Sequence, residues 1–528
     1  MKPFMESGDF KDAKWIGWPG NGERGGLEEA MRGATESEVY NVDVVTPTPE
    51  NFKKWYEGYA NQVLWPLFHG RPDLIRQDLA QEDWDGYLEV NKEYAEALVK
   101  HNGGVKPSDF IFIQDYHLMA AATYLREMGV QQPIAHFLHI PFPQPEALAA
   151  LPQKEELLGH LLNYDLLGFQ TDKYRDTFVA NIEAYVPEAE IQKEEDGVVI
   201  NYNGRKIRAN TFPISIDAQS WENEIQDPNA QKVRDRLKRY AEATKSEDVK
   251  EGVKLIFSLA RADYSKGLDL EQKFLAKLLE KYPEHQGQIK LLQIAQASRE
   301  NIEAYKEFKK GLKNGAKAIN EQFGIPAVMY LPERETSEWV RDENGELARD
   351  EKGELVRSPE WVRDEKGKLI SAPDWKRDAE GNLLRFPHEY KKKVIHQFNR
   401  GMKITRLVGH YQAADVMSVP TQADGMNLVA KEYAVTGSEE GVMLLGQGAG
   451  AAVELGEYAL LIDPKDIEGS ADRLHEALTM SPEEKRRRKE GMYQQVTEND
   501  INVWKDRQVG VWHKIWEEKR QTSLQQAA

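Results

Sequence analysis

No cysteine occurs among the 528 residues, which excludes a disulfide framework, thiolate metal sites and a cysteine nucleophile. No stretch comes near the ~18 consecutive apolar residues of a membrane helix. The opening MKPFMESGDFKDAKW lacks the apolar centre of a secretory leader, so the chain is expected in the cytoplasm, with no membrane partner. Positive charge is in deficit: 70 Lys and Arg stand against 88 Asp and Glu, a formal net charge of −18. That balance argues against nucleic acid as a partner, because such binding runs on Lys and Arg neutralising phosphates. Any phosphate chemistry must then rest on a few placed cations. What is present is a globular composition, 40% hydrophobic and 30% charged, long enough for two or three domains with their own cores.

Short apolar runs alternate with longer amphipathic stretches. In the first part they fall at 39–45, 110–113, 134–140, 166–169 and 207–214, and in the second at 254–259, 289–294, 327–331, 414–419, 441–445 and 458–462. Most are continuously apolar, as strands covered on both faces of a parallel sheet must be. Stretches such as 83–101, 174–185 and 270–281 have helical spacing. Two successive β/α series predict an α/β protein of two doubly wound domains, with ligands at the carboxyl ends of the strands. The charged stretch 220–252 is the expected boundary. This places an N-terminal domain at 1–240, a C-terminal domain at 241–490 and a final helical segment at 491–528.

One region breaks the pattern. Between about 333 and 386 the motif R-D-x-x-G-x-L recurs four times, from Arg341, Arg349, Arg363 and Arg377, and Trp339, Trp361 and Trp375 precede three of the copies. The glycines at these turns predict hairpins. The region reads as a charged hairpin-rich insertion into the second domain; the tryptophans could stack on a sugar or on a second copy, so a homo-oligomer is one expectation.

Polar clusters sit where the apolar runs end. Asp115, in F-I-Q-D-Y-H-L-M, follows one strand, where Asp can also serve as a helix N-cap. His139, in H-I-P-F-P, follows another; alone it would suit a core position equally. In the second series Arg261 and Lys266, in S-L-A-R-A-D-Y-S-K-G-L, lie between a strand and a helix, and Arg299 follows the next strand. A planar Arg fork and a mobile Lys charge together suit a diphosphate. The run Asp424-Gly425-Met426-Asn427-Leu428-Val429 opens a further helix, whose N-terminal amides can hold an anion; Glu432, one turn on, can accept two ribose hydroxyls. A glycine-rich loop of this kind is also how strands and helices pack tightly. The histidines have no metal-ligand spacing, and no metal or cofactor is expected.

Taken in order, W-x-G-W (15–18), L-W-P-x-F-H (64–69), W-D-G-Y (84–87), D-Y-H-L (115–118), H-I-P-F-P (139–143), D-L-L-G-F-Q-T (165–171), D-Y-S-K-G-L (263–268), D-G-M-N-L-V-A-K-E-Y (424–433) and N-D-I-N-x-W (499–504) resemble the trehalose-6-phosphate synthase family. The resemblance implies two Rossmann-like domains facing across a cleft (GT-B type), with the C-terminal helix returning to the first. It implies a retaining glycosyltransferase that moves glucose from a nucleotide-glucose, UDP-glucose above all, to glucose 6-phosphate. Arg261 and Lys266 then resemble the clamp on the donor diphosphate. Asp424 and the amides of Gly425, Met426, Asn427, Leu428 and Val429 resemble the cradle for donor glucose and phosphates, and Glu432 the ribose ligand. His139 resembles a contact to the transferred sugar, Asp115 the cleft carboxylate that meets the acceptor, and Trp84, Arg299 and Trp18 the acceptor contacts.

The sequence departs from the family pattern at three places. Fourteen residues precede Trp15, where the family carries a further strand ending in Asn-Arg, and Gly25-Gly26-Leu27 follows the W-x-G-W motif instead of preceding it. Gly70 stands where a tyrosine is usual beside the acceptor phosphate, and Gln114 stands for the usual histidine before Asp115. Two alternatives follow: transfer to another phosphorylated acceptor such as glycerol 3-phosphate, or a non-catalytic regulatory member. Relatives that use glycerol 3-phosphate tend to carry Asn where His117 stands, which favours the trehalose reading.

Overall fold

Each apolar run becomes a strand, and all of these strands except the one in the 39–45 run lie in two six-stranded sheets. The computed structural model describes residues 13–18, 41–75, 81–100, 104–243, 252–296, 298–299, 301–323 and 403–527, with short strands between 328 and 384. Trp339, Trp361, Trp375, the repeats at Arg341 and Arg349, and Gly25-Gly26-Leu27 lie outside these residues.

β1 (Lys14–Gly17) and β2 (Asn41–Val44) form a separate parallel pair. The first sheet contains β3 (Ile111–Gln114), β4 (Ile134–Phe137), β5 (Leu166–Phe169), β6 (Glu190–Glu194), β7 (Gly197–Tyr202) and β8 (Arg205–Thr211) in the order β3-β4-β5-β8-β7-β6. The second contains β9 (Lys254–Arg261), β10 (Ile289–Gln296) and β11 (Val328–Met329), then β16 (Val416–Val419), β17 (Val442–Gly446) and β18 (Leu460–Ile462), in the order β11-β10-β9-β16-β17-β18 and parallel throughout. Between them β12 (Val362–Arg363) pairs antiparallel with β13 (Leu369–Ser371), and β14 (Lys376–Arg377) with β15 (Leu383–Leu384). Each of these hairpins spans one R-D-x-x-G-x-L copy, as its glycine turn predicts.

The first sheet is not wholly parallel. β6 and β7 form an antiparallel edge on β8. β6 is almost entirely exposed, so its sequence EIQKE carries no apolar run to read. The turn between β7 and β8 is Asn203-Gly204 with φ of 48° and 72°, the two positive values that a type I′ hairpin requires.

Separate cores form under each sheet. Trp55, Tyr87, Leu158 and Phe178 belong to the first; Leu278, Leu291, Leu444 and Leu474 fill one face of the second, and Phe257, Met417 and Tyr433 the other. The helix Pro228–Ala243 packs Val233, Leu237 and Ala241 into this last cluster. The long helix Ile501–Ala527 returns to the first sheet. Trp504, Trp512 and Ile515 pack against Ala135, Phe137, Leu166 and Phe212, and the Trp512 ring stacks on Phe110 at 4.2 Å. Two buried indoles on one helix supply several kcal/mol, roughly 3–5 for each ring removed. The chain thus clasps its own first half, and the carboxyl ends of the two sheets meet.

Candidate active site

Four residues with side chains and positive φ occur among the described residues, and three of them lie at this meeting: Asp115 at 67°, Arg299 at 49° and Asn427 at 98°. Such backbone costs of order 1–3 kcal/mol for each residue and persists where the surroundings dictate it.

On the first sheet, Asp115 follows the end of β3. Its amide donates to the Phe137 carbonyl (2.8 Å) and its carboxylate accepts the His139 amide (3.3 Å). The Asp115 carbonyl receives the ring nitrogen of His136 at 3.1 Å. The Gln170 amide nitrogen lies 3.4 Å from His139 Nδ1, and His139 Nε2 lies 2.9 Å from Gln114 Oε1. An amide NH2 only donates and an amide oxygen only accepts, so the network assigns the proton to Nε2. Burial lowers the His139 pKa and keeps that imidazole neutral. Asp115 and His139 therefore form one unit, and Gln114 takes part in fixing its tautomer.

On the second sheet β9 delivers Arg261, and Asp263 caps the short turn Tyr264–Lys266. Gly267 follows at φ 68°; a Cβ there would lie 1.9 Å from the Pro420 carbonyl oxygen, so both backbone and space require glycine. The turn presents Lys266 Nζ to Asp424 Oδ2 at 2.7 Å. Asp263, with no exposed surface, lies 3.2 Å from Arg299 and 3.9 Å from Arg261. Burial opposes its ionisation, but Arg261, Arg299 and Lys266 outweigh burial and hold the carboxyl below its usual range. Asp424 is held low in the same way, Lys266 overcoming burial. Three cations thus meet two carboxylates, leaving an excess of positive charge.

The two arginines differ in freedom. Arg299 is 6% exposed; it donates to Asp263 and Tyr305 (2.6 Å) from one terminal nitrogen and to Tyr116 (3.1 Å) from the other, over the Trp65 ring at 3.9 Å. Arg261 lies over the same indole at 4.9 Å with 39% of its side chain exposed.

The loop that begins at Asp424 ties the halves together. Tyr174 of the first half donates to the Asp424 carbonyl at 3.0 Å, and a Cβ on Gly425 would lie 1.7 Å from the His139 carbonyl oxygen. Met426 is buried beneath the loop. Asn427 caps the helix Leu428–Thr436 by accepting the Ala430 amide (3.1 Å), and its own amide donates to Asp424 (3.2 Å). The amides of Leu428 and Val429, in the first turn, have no intrahelical partner. Glu432 accepts the Tyr411 hydroxyl at 2.7 Å, and burial pushes its pKa up to about 7.

Trp18 joins the site through a relay of rings. It lies 5.5 Å from Tyr56, which stacks on His117 (5.5 Å), which packs on Tyr116 (3.9 Å), the partner of Arg299. Trp84, expected as an acceptor contact, does not join this relay; the structure places it in the core beside the site. It is 1% exposed, stacked on Tyr87 with its indole donating to Glu156 at 3.1 Å, so it presents no surface to a ligand in this conformation. Its helix turns that face to the core, and W-D-G-Y alone does not reveal which face is buried. Gly70 is exposed at φ 68° with open space where a side chain would stand. Trp65, His69, Asp263, Tyr116 and Tyr305 also belong to the site, though no single motif marks them as such. Trp65 and His69 were signalled by L-W-P-x-F-H, but only folding brings that segment onto Arg261 and Arg299.

Comparison with known proteins gives one family. The model of glycosyltransferase family 20 matches residues 1–334 and 387–512, passing over the stretch that holds the R-D-x-x-G-x-L repeats. The chain is 32% identical over 501 residues to the trehalose-6-phosphate synthase of Cronobacter sakazakii, covering 93% of this chain and 86% of that protein. It is likewise 32% identical over 499 residues to that of Klebsiella pneumoniae, with the same shares covered. Among solved structures, the UDP-forming α,α-trehalose-phosphate synthase of Burkholderia xenovorans in complex with glucose 6-phosphate superposes with a TM-score of 0.74 at 26% identity, covering 97% of this chain and 96% of that one. An Escherichia coli protein bound with UDP-2-fluoro glucose gives 0.71 at 28% identity, covering 95% and 99%.

Proposed function

The chain belongs to glycosyltransferase family 20, and on that premise we propose that it transfers glucose from UDP-glucose to glucose 6-phosphate, giving trehalose 6-phosphate with retention. The observation that carries this reading is the convergence of Arg261, Lys266 and Arg299 on buried Asp263 and Asp424, directly opposite the Asp115–His139 unit.

Lys266 and Arg261 stabilise the charge that develops on the leaving diphosphate, in a site screened from water by the two halves. Lys266 exchanges its bond to Asp424 for the phosphate, and Asp424 is then free to accept from a sugar hydroxyl. The amides of Gly425, Met426, Asn427, Leu428 and Val429 cradle the donor, and Glu432, once ionised, accepts the ribose hydroxyls. His139 exchanges its Nε2–H bond to Gln114 for a hydroxyl of the transferred glucose. Asp115 holds the acceptor hydroxyl against the anomeric carbon, an orientation effect, while the departing phosphate oxygen takes that proton on the same face. Arg299 and the aromatic relay to Trp18 line the acceptor side. The reaction needs no resident cofactor, since the nucleotide-sugar is itself a substrate. No helix among the described residues is long and apolar enough to cross a membrane.

The test supplies UDP-glucose with glucose 6-phosphate or glycerol 3-phosphate and follows UDP release. Release with glucose 6-phosphate supports the reading. Release with glycerol 3-phosphate alone moves the acceptor, and UDP-glucose binding without release with either makes the chain a regulatory binder.

A further inference from the structure

We infer that His69 is a further substrate-contacting residue, whose Nε2 accepts a hydrogen bond from a hydroxyl of the glucose being transferred. This rests on the function proposed above and adds a residue to it. His69 ends the segment that carries Trp65, and its ring stacks on that indole at 3.9 Å. Its Nδ1 lies 2.8 Å from the Trp65 carbonyl oxygen. A carbonyl can only accept, so Nδ1 carries the proton. The ring is 5% exposed, and burial lowers its pKa to about 4, leaving the imidazole neutral. A neutral imidazole protonated on Nδ1 has a bare lone pair at Nε2. That atom is buried and has no hydrogen-bond partner among the described residues. Orphaned buried acceptors are uncommon because they forfeit hydration without replacement.

The surroundings decide what kind of group completes it. The charged groups acting on the ring are Lys266, Asp263 and Asp424. Lys266 turns to Asp424 here, and to the phosphate once the donor binds, and none of its protons reaches Nε2; Asp263 is engaged with Arg299. Carboxylates have no proton to offer, and neither does a fully ionised phosphate. The missing partner is therefore an O–H donor beside the diphosphate clamp, which is where the glucose of the donor must sit. The cations take the phosphates, and the lone pair of His69 selects a sugar hydroxyl.

Two measurements test this. In protein labelled with 15N at histidine, the Nε2 resonance of His69 should move when UDP-glucose is added and stay in place with UDP. A resonance indifferent to the sugar, as an enclosed water alone would leave it, overturns the assignment. This readout needs no turnover, so it fails separately from the proposed reaction. Second, His69→Phe keeps the stack on Trp65 and removes the acceptor; kcat should fall about tenfold with the melting temperature held. His69→Gln, which restores an accepting oxygen, should recover part of that loss. Among monodeoxy donor analogues, one should be penalised in the wild type and not further in His69→Phe. Wild-type turnover in His69→Phe, or equal penalties for every analogue in both proteins, would refute it.

Discussion

The two strand ends that face each other solve different problems. The first offers one carboxylate, Asp115, set by backbone amides and a neutral imidazole network. The second gathers three cations around two buried carboxylates. A leaving diphosphate needs charge stabilisation, which is worth most in a dry site. An incoming hydroxyl needs direction, which a rigid neutral frame supplies without attracting a competing anion. A chain with net charge −18 can handle two anionic substrates because its positive charge is concentrated at one of these ends.

The difference can be broken at its strongest point first. Arg299→Ala removes the shorter of the two arginine pairs on buried Asp263, leaving Arg261 at 3.9 Å, and removing one partner of a buried ion pair costs about 3–5 kcal/mol. Urea unfolding should show that loss, whereas Arg261→Ala, at a half-exposed arginine, should lower activity and leave the unfolding midpoint nearly unchanged. Next in size is Lys266→Ala, expected to reduce kcat by about 10²–10³-fold, as the loss of other preorganised electrostatic groups does. Steady-state kinetics at saturating donor would reveal it, and a wild-type rate would remove the clamp.

These expectations also mark what the sequence disclosed. The strands were legible because parallel sheets bury both faces, so their apolar runs are continuous; β6 was not, because an exposed edge strand has no such run. Asn203-Gly204 did announce the hairpin between β7 and β8, a local signal passed over in favour of apolar runs. Arg261, Lys266 and Asp424 were legible because each sits at a strand end with a tell-tale loop. Asp263 was not, since a buried carboxylate between two arginines exists only after the loops that follow β9 and β10 meet. Trp84 shows the converse, an aromatic in a recognisable motif whose helix turns it inward.

A smaller effect separates the two ends by pH. Burial raises Glu432 to about 7, so UDP-glucose affinity should strengthen as pH rises through 7 and the ribose ligand ionises; Glu432→Gln should flatten that slope. Titration calorimetry between pH 6 and 8 would show it. Smaller still is the stability effect of Glu271, buried with Ser258 and Gln293 and raised from 4.5 to about 7. Between those values the folded protein holds a proton that the unfolded chain has released, so stability falls as pH rises through the window and levels off above it. Glu271→Gln should remove that fall, as read by melting temperature against pH.

The central claim, charge at one end and direction at the other, is tested most directly by the dissociation constant for UDP-glucose in Asp115→Asn and Lys266→Ala, measured side by side without acceptor. The account predicts near wild-type affinity for Asp115→Asn, despite its slowed turnover, and clear weakening for Lys266→Ala. Equal weakening in both variants, or weakening in Asp115→Asn alone, would contradict it.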